Sequence, residues 1–174
     1  MPTDATKPLD EESLLALEPY EVIDNRAVGQ VYRLLEHDSD ADGEYFRYEI
    51  KYRPDATGFA EHLHPIAEEA FKVVSGELVV TMNGTERSLG PGEQVGLPPG
   101  TPHPLLNASG MESRVLSEVR PPLATEALIR WLAEMAKEGN TDAEGTPNLL
   151  PLAAFIAANP DLVYLSSPPV LLQQ

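Results

Sequence analysis

The chain has 174 residues, 42% of them hydrophobic, with 28 acidic side chains against 12 basic ones and a formal charge of −16. That length suits one domain with an appendage and can bury a core, while so acidic a surface repels phosphate backbones and excludes nucleic acid as the expected partner. There is no cysteine, so disulfides and thiolate metal sites are excluded and any metal must be held by imidazole and carboxylate.

Residues 1–17 read as a loose arm with a short helical turn near Glu11–Leu17. Met1–Glu12 lacks the basic start and apolar stretch of a secretion signal, and no apolar run reaches the ~18–20 residues that span a bilayer. A cytoplasmic protein without a membrane partner is expected. From Tyr20 to Val119 the pattern is β. The seventeen prolines and twelve glycines of the chain favour short strands joined by turns over a helical bundle. The strands expected are Glu21–Asn25, Gln30–Glu36, Tyr45–Arg53, Gly58–His64, Ala70–Ser75, Glu77–Met82, Thr85–Leu89, Gln94–Leu97, His103–Asn107 and Ser113–Val119. Asp38–Gly43 reads as an acidic loop, and Asn83-Gly84 as a hairpin turn, because both residues tolerate positive φ. In Tyr45–Arg53 the alternation puts Phe46, Tyr48, Ile50 and Tyr52 on one face and Tyr45, Arg47, Glu49, Lys51 and Arg53 on the other.

After Pro121-Pro122 the character changes. Thr125 is expected to cap a helix running to about Glu138, with Leu128, Trp131, Leu132 and Met135 as a packing stripe. Leu149–Ala158 reads as a second short helix. The tail from Val163 to Leu172 is too apolar to stay exposed and is expected to dock on the barrel or on a second subunit. The division expected is an arm at 1–17, a β-barrel at 18–120 and a helical extension at 121–174.

Three of the four histidines, His62, His64 and His103, fall into one frame with a carboxylate at a plausible offset. On a strand, His62 and His64 leave the same face and can converge on one ion. A short turn then lets Glu69 return from a neighbouring strand, and His103, behind a turn-rich lead of Gly92, Pro98, Gly100 and Pro102, is the natural fourth ligand. His37 lies outside this frame and reads as an ordinary surface histidine.

These residues resemble the two motifs of the cupin superfamily. The first reads G-x5-H-x-H-x3-4-E-x6-G. The chain has His62, Leu63, His64, four residues, Glu69, six residues and Gly76; its glycine upstream is Gly58, three residues rather than five before His62. The second reads G-x5-P-x-G-x2-H-x3-N and is matched by Gly92, Pro98, Gly100, His103 and Asn107. The resemblance, over about residues 20–120, implies an all-β fold: a double-stranded β-helix, or jelly-roll, barrel carrying a C-terminal helical extension. It implies one divalent metal inside, held by His62, His64, Glu69 and His103. Redox chemistry would call for iron, manganese, nickel or copper, and other chemistry would admit zinc as well. The spacing to Gly76 favours Glu69 over Glu68 as the ligand, and Asn107 reads as a structural hydrogen-bonder.

On the following strand either Leu78 and Val80 or Val79 and Thr81 face the interior, and Tyr48, Tyr52, Arg47 or Arg53 could supply polar groups to a pocket. The resemblance further implies a small-molecule ligand and a homodimer. It points to an enzyme, either a dioxygenase or an isomerase or cyclase, with a non-catalytic binding protein as the alternative.

Overall fold

The computed structural model describes residues 7–25, 28–54, 56, 60–82, 84–106, 110–142 and 145–165. The strands are β1 (Glu21–Asn25), β2 (Gln30–Asp40), β3 (Gly43–Tyr52), β4 (His62–Leu63), β5 (Glu68–Ser75), β6 (Leu78–Met82), β7 (Thr85–Leu89), β8 (Gln94–Leu97), β9 (Leu105–Leu106), β10 (Ser113–Arg120) and β11 (Tyr164–Leu165). The helices are α1 (Glu11–Leu15), α2 (Thr125–Lys137) and α3 (Leu149–Ala158). One six-stranded sheet has the order β1-β2-β3-β10-β5-β8, a three-stranded sheet the order β7-β6-β9, and β4 pairs with β11. All pairs are antiparallel. This is the mostly-β barrel with C-terminal helices that the sequence led us to expect. None of the described helices is long and apolar enough to cross a membrane.

The alternation in β3 sorts its residues as expected. Phe46, Tyr48, Ile50 and Tyr52 enter the main core with Phe71, Val73, Val95, Leu97, Val115 and Val119. Opposite them, Leu78 and Val80 face the same core, which resolves the choice left open on β6. The outer face of the large sheet is held by ion pairs. Glu49, 1% exposed, takes Arg114 Nε at 2.6 Å and also pairs with Arg33. Arg47 bridges Glu36 and Glu118 at 2.7 and 2.6 Å and lies over the Tyr45 ring. Arg47 is therefore turned away from the interior, and Arg53 is exposed.

Several expectations are revised. The acidic stretch from Asp38 is strand as far as Asp40, which takes Arg120 and Lys7, so only Ala41 and Asp42 turn. The arm is not loose from Leu9 onward. Leu9 and Leu14 pack on Leu35, Ala70 and Leu116, and the Leu9 backbone accepts from Lys72 Nζ and donates to Gln94 Oε1. Asp10, rather than a longer turn, starts α1 by accepting from Ser13 N. Thr125 does not cap α2. Ala124 is the capping residue, without a side-chain bond, and Thr125 is the first helical residue. Asn83 lies outside the described residues, but Met82 and Thr85 pair across the turn and Gly84 has φ 77°. Gly58, Asn107 and the tail beyond Leu165 also lie outside them.

His37 is at the surface but is not idle. Its ring stacks on Phe46 with centroids 4.3 Å apart, and Nε2 lies 2.7 Å from Glu126 Oε2 on α2. Glu126 also takes the Tyr20 hydroxyl and Arg130. Burial alone would raise the Glu126 carboxyl, but Arg130, Tyr20 and His37 bring it down to about 2. Its contribution to stability is therefore fully present above the ordinary carboxylate value and is lost as pH falls from there towards 2. Unfolding measured at pH 6 and at pH 2.5 should show Glu126→Gln less stable than the parent by about 1 kcal/mol at pH 6, after allowing for solvent screening. The gap should narrow at pH 2.5 and close only below about pH 2. A constant gap across that range would show that the carboxylate charge does not hold α2.

Candidate metal centre

The four residues singled out from the sequence meet at one point. One ligand atom from each of His62, His64, Glu69 and His103 lies within 4.8 Å of all the others, and all four residues are buried. Each arrives from a different local setting. Glu69 stands on β5, deep in the large sheet, between Leu97 of β8 and Val119 of β10. His62 and His64 come from β4 and the residue just after it, two apart and hence on one side. β4 is not paired to β5, so Glu69 reaches the site across the barrel rather than from an adjacent strand. His103 is held to His62 by reciprocal main-chain bonds, His103 N to His62 O at 2.8 Å and His62 N to His103 O at 3.3 Å. The turn before it is formed as the prolines and glycine suggest: Thr101 N donates to Pro98 O at 3.2 Å, and Gly100 N donates to His64 O at 2.8 Å. Glu68, the alternative acid, is half-buried and stays out of the cluster.

The tautomers follow from the partners. Nδ1 of His62 faces Ala60 O at 2.8 Å, that of His103 faces Thr101 O at 2.8 Å, and that of His64 faces Leu162 O at 2.5 Å. A carbonyl oxygen can only accept, so each Nδ1 carries the proton and donates it. In the neutral ring, Nε2 then presents its lone pair, which is the form that ligates a metal.

That arrangement creates a conflict which a cation resolves. His103 Nε2 lies 3.0 Å from Glu69 Oε2, and His64 Nε2 lies 3.4 Å from the same oxygen. With neutral rings these are lone pairs facing a carboxylate. His64 Nε2 is buried with no hydrogen-bond partner among the described residues, at a cost of about 1–3 kcal/mol if nothing binds it. Two donors each ~2.1 Å from a shared ion are about 3.0 Å apart at a right angle and about 3.4 Å apart at the tetrahedral angle. Three imidazoles and one carboxylate, without sulfur, suit a borderline divalent ion such as iron, manganese, nickel or zinc. The residues present therefore fit a metal.

Electrostatics within the cluster pull in two directions. Burial, followed by the neighbouring His103 and His64 rings, pushes His62 well below the ordinary histidine value. Burial also opposes charge on His64 and Glu69. Their mutual attraction outweighs it, raising the imidazole and, with His103, holding the Glu69 carboxyl well below the usual range.

A cavity opens beside the cluster, with about 70 Å³ available to the centres of solvent molecules. His62, His64 and Glu69 line one part of it, and Gln30, Tyr32, Tyr48, Tyr52 and Thr125 supply its other polar groups. Of the polar candidates on β3, Tyr48 and Tyr52 thus reach the cavity and Arg47 and Arg53 do not. Burial raises the phenols of Tyr32, Tyr48 and Tyr52 above their ordinary value. Leu128, Ile129 and Leu132 of α2 close the cavity with Thr125, all on one helical face. The stripe read from the sequence as packing alone is therefore partly a cavity wall, while Trp131 stacks on Phe155 of α3 at 4.5 Å. Gln30, Tyr32 and Thr125 carried no motif, and nothing in their spacing marked them as cavity residues.

Residues 48–117 match the family model described as "Cupin domain". Over 88 residues the chain is 30% identical to the tetracenomycin polyketide synthase protein TcmJ of Streptomyces glaucescens, a match covering 51% of this chain and 52% of that protein. The chain thus spans about half the length of the curated relative it matches. In fold it is similar to KdgF from Halomonas sp., with a TM-score of 0.50 and 21% identity over 66% of this chain and 91% of that one. It is also similar to an RmlC-like cupin from Shewanella frigidimarina, with a TM-score of 0.48 and 20% identity over 57% and 81%.

Proposed function

We propose, from the match of residues 48–117 to the cupin domain model and the clustered donors, that the chain is a metal-dependent cupin enzyme acting on a small, oxygen-bearing organic molecule. The observation that carries this reading is the shared cavity. Three of the four candidate ligands line the same space as a set of protonated hydroxyls, so a molecule lying there sits against both. A bound divalent ion would supply Lewis-acid or oxygen chemistry at that point.

The chain's own groups orient and enclose. Phenols raised by burial stay protonated near neutrality and can donate to a substrate oxygen. The Tyr32 hydroxyl donates its proton to Gln30 Oε1 at 2.6 Å, which leaves its oxygen to accept from a ligand hydroxyl. Thr125 Oγ1 is buried with no hydrogen-bond partner among the described residues, which leaves a hydroxyl to be met by a ligand. Ile50, Phe71, Leu105 and the α2 leucines shield the space from bulk water. No lysine or arginine is among the described cavity-lining residues. Enols, β-diketones and phenols therefore suit this cavity better than phosphorylated sugars. The similarity to a polyketide synthase protein supports the same class of substrate.

The reaction is either oxygenation or an oxygen-independent isomerisation or cyclisation. Protein loaded in turn with Fe(II), Mn(II) and Zn(II) would be given catechols, β-diketones and thiols, with oxygen uptake and product followed together. We expect turnover with an oxygen-bearing class. Loss of one hydrogen bond in Tyr32→Phe should lower kcat/KM roughly ten-fold, the equivalent of about 1.4 kcal/mol. Uptake of oxygen selects the oxygenase, and conversion without it selects the isomerase or cyclase. Saturable binding with no conversion under any metal would make the protein a small-molecule binder instead.

A further inference from the structure

The three histidines are not oriented alike. His62 and His103 are each anchored by a carbonyl two residues away in the chain, Ala60 and Thr101. His64 is anchored by Leu162, 98 residues away in the C-terminal extension. That carbonyl belongs to the segment leading into β11, which pairs with β4 through Tyr164 opposite Leu63 and Leu165 opposite His62. β4 is thus flanked by the His103 bridge and by the extension. The segment is held by its side chains: Leu162, Val163, Tyr164 and Leu165 are all buried in a second core with Leu152 and Ile156 of α3 and Leu128 of α2.

From this we infer that the segment Leu162–Leu165 is a working part of the metal centre, because the Leu162 carbonyl holds His64 in its ligating tautomer, so that docking of the segment and metal binding are coupled. The inference rests on the metal-centre reading. With the carbonyl in place, the proton is fixed on Nδ1 and Nε2 is presented to the site. Without it, the ring can place its proton on Nε2 and turn, and that form cannot ligate through Nε2, the atom aimed at the site. An outer partner of this kind is worth roughly 10–100-fold in metal affinity. Coupling is reciprocal, so an ion in the site must also hold the segment down. Because Leu128 lies in the same core and also lines the cavity, the unit that orients His64 also carries part of the cavity wall.

The test uses the full chain and Zn(II) alone. Val163→Asp places a charge in the second core and should undock the segment, which is read as lost amide protection at residues 163–165. With the barrel intact by circular dichroism, zinc affinity measured against a competing chelator should fall roughly 10–100-fold. Leu14→Ala, in the separate cluster under the N-terminal arm, should leave the affinity unchanged. In metal-free protein, imidazole nitrogen shifts should report His64 protonated on Nδ1 in the parent and on a mixture of nitrogens in Val163→Asp. If Val163→Asp does not fold, Val163→Ala and the parent still decide the matter: zinc should slow amide exchange at 163–165 as well as around His62 and His64. Undocking that leaves zinc affinity and the His64 tautomer unchanged would overturn the inference. So would zinc that protects residues 62–64 while leaving 163–165 untouched. Failure of the parent to bind any metal would instead remove the metal-centre reading, and the His64 tautomer would still judge the role of Leu162.

Discussion

Protein purified without added metal and then loaded should hold about one divalent ion per chain, and His62→Ala or His103→Ala should bind it at least ~100-fold more weakly. The expectation comes from what each substitution leaves in place. His62 and His103 are joined through main-chain atoms, so alanine removes the imidazole without breaking the link between the two segments. What is lost is a ligand rather than a fold. Removal of an outer partner costs 10–100-fold, and a ligand itself should cost more. In His103→Ala, Glu69 also loses the ring 3.0 Å away, while His64 remains at 3.4 Å. His37→Ala is the control, since that ring serves Glu126 and Phe46 and lies outside the cluster. Metal content by mass spectrometry and affinity by chelator competition would be measured for all four proteins. Stoichiometric, tightly held metal in both ligand variants would refute the centre.

The second large effect is expected at a residue that touches no ligand. Gly76 turns the chain between β5 and β6 with φ 76°. A Cβ there would lie 2.5 Å from Ser113 Oγ, 2.6 Å from Glu112 O and 2.7 Å from Ser113 Cα. The neighbours cannot move freely. Ser113 is fully buried, its hydroxyl donates to Glu77 O at 2.7 Å and accepts from Glu77 N at 3.0 Å. Gly76→Ala therefore combines a left-handed backbone cost of roughly 1–2 kcal/mol with an overpacking cost of roughly 1–3 kcal/mol. A loss of about 3 kcal/mol would lower Tm by roughly 10 °C in a chain of this size. Gly84→Ala separates the two causes. Its φ is 77°, but nothing among the described residues lies within 4 Å of the added carbon, so only the backbone cost of roughly 1–2 kcal/mol should appear. Equal losses at Gly76 and Gly84, measured by thermal and denaturant unfolding, would show that crowding against Ser113 is not what requires glycine at residue 76.

What could be read in advance was whatever depends on local spacing. The alternation of Phe46, Tyr48, Ile50 and Tyr52 follows from the two-residue period of a strand, and it grouped the residues that the fold turns inward, while which of the two faces of β3 is internal stayed open until the sheet was in place. The buried cluster of His62, His64, Glu69 and His103 was legible because a metal site calls for particular donor types, few chain segments offer them, and each sits near a turn that its glycines and prolines announce. The helices α2 and α3 were legible from apolar spacing and their terminators, while the first residue of α2 was misread, because Thr125 is a good capping type whose hydroxyl turns inward instead.

The remainder was decided by tertiary structure. Which face of β6 is internal depended on which sheet lay opposite, and strand period alone allows both. Gln30, Tyr32, Thr125 and the α2 leucines became cavity residues only when a helix from the end of the chain closed over a barrel from its middle. His37 gained a partner, Glu126, 89 residues away. Leu162 stands just before the apolar tail and was not singled out, because its role lies in a main-chain oxygen that every residue type possesses. The sequence alone determined the donor set and the strand pattern, because both are local chemistry. Only the folded chain decided what surrounds the donors, because those contacts join segments that no sequence period relates.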